Sequence, residues 1–122
     1  MLRRLLLPVA LLAVTLAAAT SGNARSTAAP KLTGVSGPGF TITLKSAAGT
    51  AVKTLKAGTY TIAVQDKSSI HNFHLFGPGV SKTTTVPFTG KQTWTVKLKK
   101  GTYTYQCDVH AATGMKGTFK VS

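Results

Sequence analysis

The chain has 122 residues, enough for one small domain, and 15 lysines and arginines against 2 acidic residues give it a formal net charge of +13 at pH 7. Asp66 and Asp108 are the only carboxylate side chains, which nearly excludes an enzyme that works through a carboxylate pair. Nucleic-acid binding is not expected either, because after residue 25 all basic residues are lysines and none can make the bidentate arginine contact to a base edge.

Residues 1–24 are predicted to be a secretory signal peptide. Arg3 and Arg4 precede an apolar run from Leu5 to Ala19, and small residues follow it, which is the order of charged, apolar and small segments in such peptides. The run is shorter than the ~20 residues of a membrane-spanning helix, so we favour cleavage over retention as an anchor. Export predicts a periplasmic or extracellular protein in an oxidising compartment.

Cleavage would leave thirteen basic and two acidic residues, a net charge of +11. Such a field is expected to attract redox partners with acidic surfaces, and it allows weak, salt-sensitive contact with an anionic membrane surface. The plainer alternative is that the lysines keep a small monomeric β protein soluble and protect its sheet edges from pairing.

Residues 25–39 are predicted to form a flexible tether, because small residues, prolines and glycines dominate there without a hydrophobic period, and the alternative is that Leu32 and Val35 begin a first edge strand. Residues 40–122 predict one domain, in which apolar residues alternate with threonine and lysine at the period of half-buried strands. No window has a helical period, so we expect an all-β sandwich of about seven or eight strands in two antiparallel sheets. The expected inward-facing sets are Phe40, Ile42 and Leu44; Tyr60, Ile62 and Val64; Trp94, Val96 and Leu98; Tyr103, Tyr105 and Cys107; and Phe119 and Val121.

The only cysteine stands in a pattern of side chains that bind metals. His110 and Met115 follow Cys107 closely, and His71 lies 36 residues before it. One thiolate, two imidazoles and one thioether are the ligands of a blue-copper site, where the methionine is a weak axial ligand. The alternatives for a lone cysteine are a reactive thiol or a small buried apolar side chain.

Strand parity selects His71 rather than His74 as the first histidine ligand. Residues three apart on a strand face opposite sides. His71 has the parity of Phe73 and Leu75, which we expect to face the core, whereas His74 has the parity of Asn72. We therefore predict that His71 reaches a metal at the mouth of the core, and that His74 lies at the surface or behind the ligands.

The motif resembles that of the cupredoxins, the small blue-copper family that includes plastocyanin, amicyanin and pseudoazurin. The segment Cys107-x₂-His110-x₄-Met115 has the spacing of plastocyanin, and His71-Asn72 matches its first ligand with the asparagine that follows. The resemblance covers about residues 40–122. It implies a Greek-key sandwich and one mononuclear copper ion bound by His71, Cys107, His110 and Met115.

The resemblance also implies roles around the ligands. The Asn72 amide is expected to donate to the Cys107 sulfur while its side chain ties neighbouring loops together. The His110 ring is expected to reach the surface through an apolar patch, here built from Gly77-Pro78-Gly79-Val80 and from Ala111 and Ala112. Asp108 is a departure from the family pattern: an ionised carboxylate directly after the cysteine would favour Cu(II) and lower the reduction potential, and the alternative is a solvated side chain with little effect.

A closed set of four ligands leaves no position for a substrate, so we expect an electron carrier by Cu(I)/Cu(II) cycling and no enzyme activity. A copper-storage or copper-delivery protein is the alternative. Two further hypotheses stay open. One is a zinc site, against which the soft thioether argues. The other is an interaction module in which the cysteine, histidines and methionine lie together by coincidence.

Overall fold

The computed structural model describes residues 28–122, and about half of the residues in this part of the chain lie in strands. The predicted signal peptide lies outside it. One turn of 3₁₀ helix, Ala111–Thr113, is the sole helical element of residues 28–122, and no helix there is long and apolar enough to cross a bilayer. The strands are β1 Lys31–Ser36, β2 Ile42–Ser46, β3 Thr54–Leu55, β4 Gly58–Asp66, β5 His74–Gly77, β6 Val80–Thr83, β7 Gly90–Leu98, β8 Gly101–Gln106 and β9 Lys116–Val121.

The strands form two sheets, which confirms the predicted all-β sandwich. The first sheet has the order β2-β1-β4-β7 and the second the order β3-β9-β8-β5-β6. The prediction that both are antiparallel is wrong, because β1 pairs with β4, and β3 with β9, in parallel. A parallel pair needs a crossover between its strands, and alternation along one strand carries no information about it.

The first strand lies inside the segment that was predicted to be a tether. Strand β1 pairs with both β2 and β4, so it is an interior strand of its sheet, and Leu32 is buried. The prediction of a tether over residues 25–39 is therefore wrong for Lys31–Ser36, and the sandwich begins before residue 40. The alternative of a strand at Leu32 and Val35 is confirmed, but this strand is interior and not at an edge. Gly34 weakens its sequence pattern and is needed where the Phe73 ring lies against the backbone.

The core lies between the sheets and is lined by the predicted alternating residues. The inward sets of β4, β7, β8 and β9 are all buried, as expected from their period of two. Phe40 is the exception, because it precedes β2 and its side chain is 65 % exposed. The prediction that Phe40 faces the core is wrong, and its actual neighbours belong to the candidate site described below.

The strand directions give the sandwich two distinct ends. Strands β4 and β8 finish at one end, where residues 67–73 connect β4 to β5 and residues 107–115 connect β8 to β9. We call this the metal end. At the opposite end, the two-residue connections Pro78–Gly79 and Lys99–Lys100 join β5 to β6 and β7 to β8.

Candidate metal centre

His71 lies in the connection between β4 and β5, and hydrogen bonds hold this segment on both sides. The Ser36 hydroxyl donates to the Asn72 carbonyl at 3.0 Å. The Phe73 amide donates to the Thr84 hydroxyl oxygen at 2.8 Å, and the Thr84 amide donates back to the Phe73 carbonyl at 3.0 Å. All of these residues are buried, so the backbone on either side of His71 has little freedom.

Asp66, the last residue of β4, also holds the connection that carries His71. Its carboxylate accepts from the Thr84 hydroxyl at 3.0 Å and from the Ser68 amide at 3.2 Å. Burial raises the pKa of this carboxyl group, and the hydrogen bonds from Ser68 and Thr84 only partly oppose the shift. The buried carboxylate thus links the strand end, the start of the loop and the strand that follows it.

The second loop is closed on itself by backbone hydrogen bonds. The Cys107 amide donates to the Met115 carbonyl at 3.0 Å, and the His110 amide donates to the Cys107 carbonyl at 3.1 Å. Gly114 ends the 3₁₀ turn with a φ of 102°, a left-handed conformation that favours glycine. The loop therefore returns Met115 to the start of β9 directly beside Cys107.

The structure brings together three of the four predicted ligand side chains. The Cys107 sulfur lies 3.7 Å from Nδ1 of His71 and 3.5 Å from Nδ1 of His110, and the two Nδ1 atoms are 3.0 Å apart. Cys107 and His71 are fully buried, whereas His110 is half-buried. His71, Cys107 and His110 also form a group whose donor atoms all lie within 4.8 Å of one another.

This triangle of donor atoms fits a small first-row metal ion. Bonds of about 2.0–2.1 Å to nitrogen and about 2.3 Å to sulfur would place trigonal ligands about 3.5–3.8 Å apart. Two of the three observed separations fall in this range, and the nitrogen pair needs to open by about half an ångström. With the ring protons on Nε2, both Nδ1 lone pairs would face the same space as the thiolate, where a cation would stabilise all three.

Met115 is the last residue of the loop that also carries Cys107 and His110. Its side chain is buried, its carbonyl accepts from the Cys107 amide, and its own amide donates to the His110 carbonyl at 3.2 Å. The backbone of Met115 therefore contacts both of the other candidate ligands on this loop. Its thioether as an axial ligand stays a prediction.

Asn72 and Asp108 join the two loops, as the predicted tie requires. The Asp108 amide donates to the Asn72 side-chain oxygen at 2.7 Å, and the Asn72 side-chain nitrogen donates to the Asp108 carboxylate at 2.9 Å. This reciprocal pair fixes the residue after Cys107 against the residue after His71. The hydrogen bond from the Asn72 amide to the sulfur stays a prediction.

His74 contributes to this network from outside the ligand group. Its Nδ1 lies 3.0 Å from the Asp108 carboxylate and its Nε2 lies 3.0 Å from the Ser81 hydroxyl. Burial alone would raise the pKa of Asp108, but hydrogen bonds from Gln106, His74 and Asn72 together hold that pKa below its usual value. Asp108, the residue after Cys107, is therefore negatively charged at neutral pH.

Phe40 is the residue at the site that the sequence reasoning missed. Its ring packs edge-on against both imidazoles, with centroid distances of 5.4 Å to His71 and 4.9 Å to His110. The exposed large hydrophobic residues of the described chain are Phe40, Ile70 and Val109, and the last two directly precede the two site histidines. An apolar surface thus borders His110, and its aromatic member comes from a different part of the sequence.

The prediction that Gly77-Pro78-Gly79-Val80 form part of an apolar patch around His110 is wrong, because this turn lies at the end of the sandwich opposite the metal end. The Tyr103 hydroxyl donates to the Pro78 carbonyl, and Pro78 lies against Gly101 at the start of β8. Cys107 follows the other end of this strand. The sequence could not reveal this, because the position of a turn depends on strand pairing and direction.

Comparison with known proteins agrees with the geometry. The family model for copper binding proteins of the plastocyanin/azurin family matches residues 39–122. No curated protein sequence matches the chain significantly. Among solved structures, reduced rusticyanin is 23 % identical with a TM-score of 0.57, and the match covers 75 % of this chain and 78 % of that one.

Two further structures are similar. Dithionite-reduced auracyanin from the photosynthetic bacterium Roseiflexus castenholzii is 20 % identical with a TM-score of 0.55, and the match covers 79 % of this chain and 99 % of that one. Rusticyanin from Thiobacillus ferrooxidans is 26 % identical with a TM-score of 0.50, covering 75 % and 76 %. With the family model spanning well over half of the sequence, the chain belongs to the plastocyanin/azurin family of copper-binding proteins, and its cofactor is copper.

Proposed function

We propose that the protein is a one-electron carrier in which His71, Cys107 and His110 hold a single copper ion and Met115 is its axial ligand. The observation that carries the proposal is the convergence of one sulfur and two imidazole nitrogens from two separate loops. Copper bound there would supply one-electron cycling between Cu(I) and Cu(II).

The surrounding hydrogen bonds support transfer rather than release. Ser36 and Thr84 hold the backbone on either side of His71, and Asn72 ties that segment to Asp108. A ligand set held in this way changes little between the two oxidation states, and small rearrangement favours fast transfer. A delivery protein would instead need loops that open to release its metal.

The half-buried His110 is the proposed route for the electron. Its ring contacts Phe40, and Val109 and Ile70 extend the apolar surface beside it. A redox partner that docks on this surface would exclude water around the ring and bring its own cofactor close. The net positive charge of the chain supports a partner whose rim is acidic.

Further parts of the proposal follow from the sequence. The protein acts as a monomer without enzyme activity, in the periplasm or outside the cell, after removal of residues 1–24. Weak contact with anionic lipid is compatible with its charge.

Repeated redox cycling in the presence of a strong Cu(I) chelator separates a carrier from a delivery protein. A carrier is expected to keep its copper and return the same absorbance after every cycle of ascorbate and ferricyanide. Copper that passes to the chelator on each reduction would contradict the proposal and support storage or delivery.

The axial ligand has its own test. Met115→Leu keeps the size of the side chain but removes the sulfur, so the reduction potential is expected to rise because Cu(II) loses a donor. An unchanged potential would show that Met115 only fills the core.

A further inference from the structure

Half of the twelve lysines in the sequence lie at the end of the sandwich opposite the metal end. The strand registers place them there: Lys97 pairs with Thr59 at the start of β4, and Lys120 pairs with Thr102 at the start of β8. Lys99 and Lys100 form the β7–β8 turn, and Lys53 and Lys56 flank β3. We call these six residues the basic end, and all six are exposed: Lys53, Lys56, Lys97, Lys99, Lys100 and Lys120.

Little negative charge balances this group. Both acidic side chains of the sequence, Asp66 and Asp108, lie at the metal end. The two ends of the sandwich therefore differ in charge. Both carboxylate side chains lie at the metal end, and the lysine-rich surface lies at the opposite end.

The basic end also lacks the apolar anchors of a protein interface. Stable protein contacts depend on a few buried aromatic or aliphatic side chains. In residues 28–122 the large exposed hydrophobic side chains are Phe40, Ile70 and Val109, all at the metal end. A surface of charge without anchors suits a layer of anionic headgroups, which needs electrostatic attraction alone.

The N-terminal part of the chain joins the sandwich near the same end. Strand β1 runs parallel to β4, and the Pro30 carbonyl, just before it, accepts from the Thr61 amide near the start of β4. The described chain therefore enters β1 on the side on which the basic end lies.

We propose that the basic end is a docking face for an anionic phospholipid bilayer, which holds the metal end away from the membrane. The six residues of β8, which lead from Lys100 towards Cys107, span about 20 Å. Docking through the basic end leaves Phe40, Ile70 and Val109 free for a redox partner. It orients the molecule at the membrane without covering the route of the electron.

Co-sedimentation of the exported protein with vesicles tests this face without reference to copper. Vesicles with about a third phosphatidylglycerol in phosphatidylcholine are expected to bind the metal-free protein at low salt, and pure phosphatidylcholine is not. The variant K97Q/K99Q/K100Q is expected to bind about 100-fold more weakly, since each lysine near the surface contributes about 1 kcal/mol, or about fivefold.

The matched control removes the same charge from the metal end. K67Q/K91Q/K116Q is expected to weaken vesicle binding less than about fivefold. Equal losses in the two variants would overturn the proposal, because binding would then follow net charge and not the face. Binding to pure phosphatidylcholine, or capture by an acidic protein with no binding to anionic vesicles, would overturn it as well. Circular dichroism of each variant checks the fold.

Discussion

The two ends of the sandwich are built by different means. The buried polar side chains of residues 28–122 are Ser36, Asp66, His71, Asn72 and Thr84, and each lies at the metal end. There, hydrogen bonds hold two long connections in place. At the basic end, two-residue turns close the sheets over apolar side chains such as Leu98.

One tyrosine shows how the basic end is held. The Tyr103 hydroxyl accepts from the Lys99 amide at 2.8 Å and lies 3.1 Å from the Pro78 carbonyl, so a single buried ring joins two turns. At the metal end, buried polar side chains hold the two loops that carry the donor atoms. The comparison teaches that fold stability and metal chemistry are largely separated along the molecule, which makes them separately testable.

The largest expected effect is at the metal end. Cys107→Ser removes the thiolate, so the intense visible absorption of the copper complex should be lost entirely. Metal-free stability should change by no more than about 2 kcal/mol, since the substitution is small and a hydroxyl there has two imidazole neighbours. Spectroscopy with Cu(II) and urea unfolding of the metal-free protein measure the two quantities.

Leu98→Ala tests the opposite end. Leu98 is 1 % exposed, so its truncation should lower the free energy of unfolding of the metal-free protein by about 2–5 kcal/mol. The folded fraction should keep the copper spectrum of the unaltered protein. Lys97→Ala, an exposed neighbour, is the control and should change stability by less than about 0.5 kcal/mol. A changed copper spectrum in L98A would mean that the two ends are coupled.

Asp108→Asn should alter how stability depends on pH. The folded-state pKa of Asp108 lies below its unfolded value, so the stability it contributes is present above about pH 4 and is lost as the pH falls through the folded pKa. The buried Asp66 has a raised pKa and acts in the opposite direction, but it is common to both proteins.

The measurement is the urea midpoint of both metal-free proteins at about pH 6 and about pH 3. The advantage of the unaltered protein over D108N should be larger at the higher pH. An advantage that grows on acidification would contradict the role assigned to the network of Asn72, His74 and Gln106.

Phe40→Ser should have the smallest effect on the fold and a specific effect on transfer. Its ring is 65 % exposed, so metal-free stability should change by less than about 1 kcal/mol. Electron self-exchange, measured by NMR line broadening in mixtures of the two redox states, should slow by about tenfold, because two molecules that meet at their metal ends lose apolar contact. Lys97→Gln, at the basic end, should not slow it.

The sequence predicted the regular parts of the molecule well. Alternation identified the buried faces of β4, β7, β8 and β9, because each of these strands has one buried face and one polar face. The predictions that His71 is buried and that His74 lies outside the ligand group are confirmed, but strand parity is not the reason, because His71 precedes β5 and Asn72, which has the opposite parity, is also buried. The predicted donors His71, Cys107 and His110 do lie together. The spacing of Cys107 and His110 is local, so only the approach of His71 to Cys107 depends on the fold.

What the sequence did not predict depends on how distant segments meet. Strand β1 was predicted at most as an edge strand, because Gly34 interrupts its pattern in order to accommodate the Phe73 ring, a contact formed with another part of the chain. Phe40 alternates like a core residue, yet it lies before its strand and contacts two histidines that are distant in sequence. No local pattern in the sequence indicates that Ser36, Asp66 and Thr84 are buried and hydrogen-bonded, since serine, aspartate and threonine also occur on exposed strands.

The central claim is that the cluster of His71, Cys107 and His110 holds a copper ion that cycles between two oxidation states. The most direct measurement is the visible absorption spectrum of the purified protein with one equivalent of Cu(II), then with ascorbate, then after reoxidation. The account predicts an intense blue band that disappears on reduction and returns on oxidation. A protein that binds copper tightly and stays colourless would contradict it.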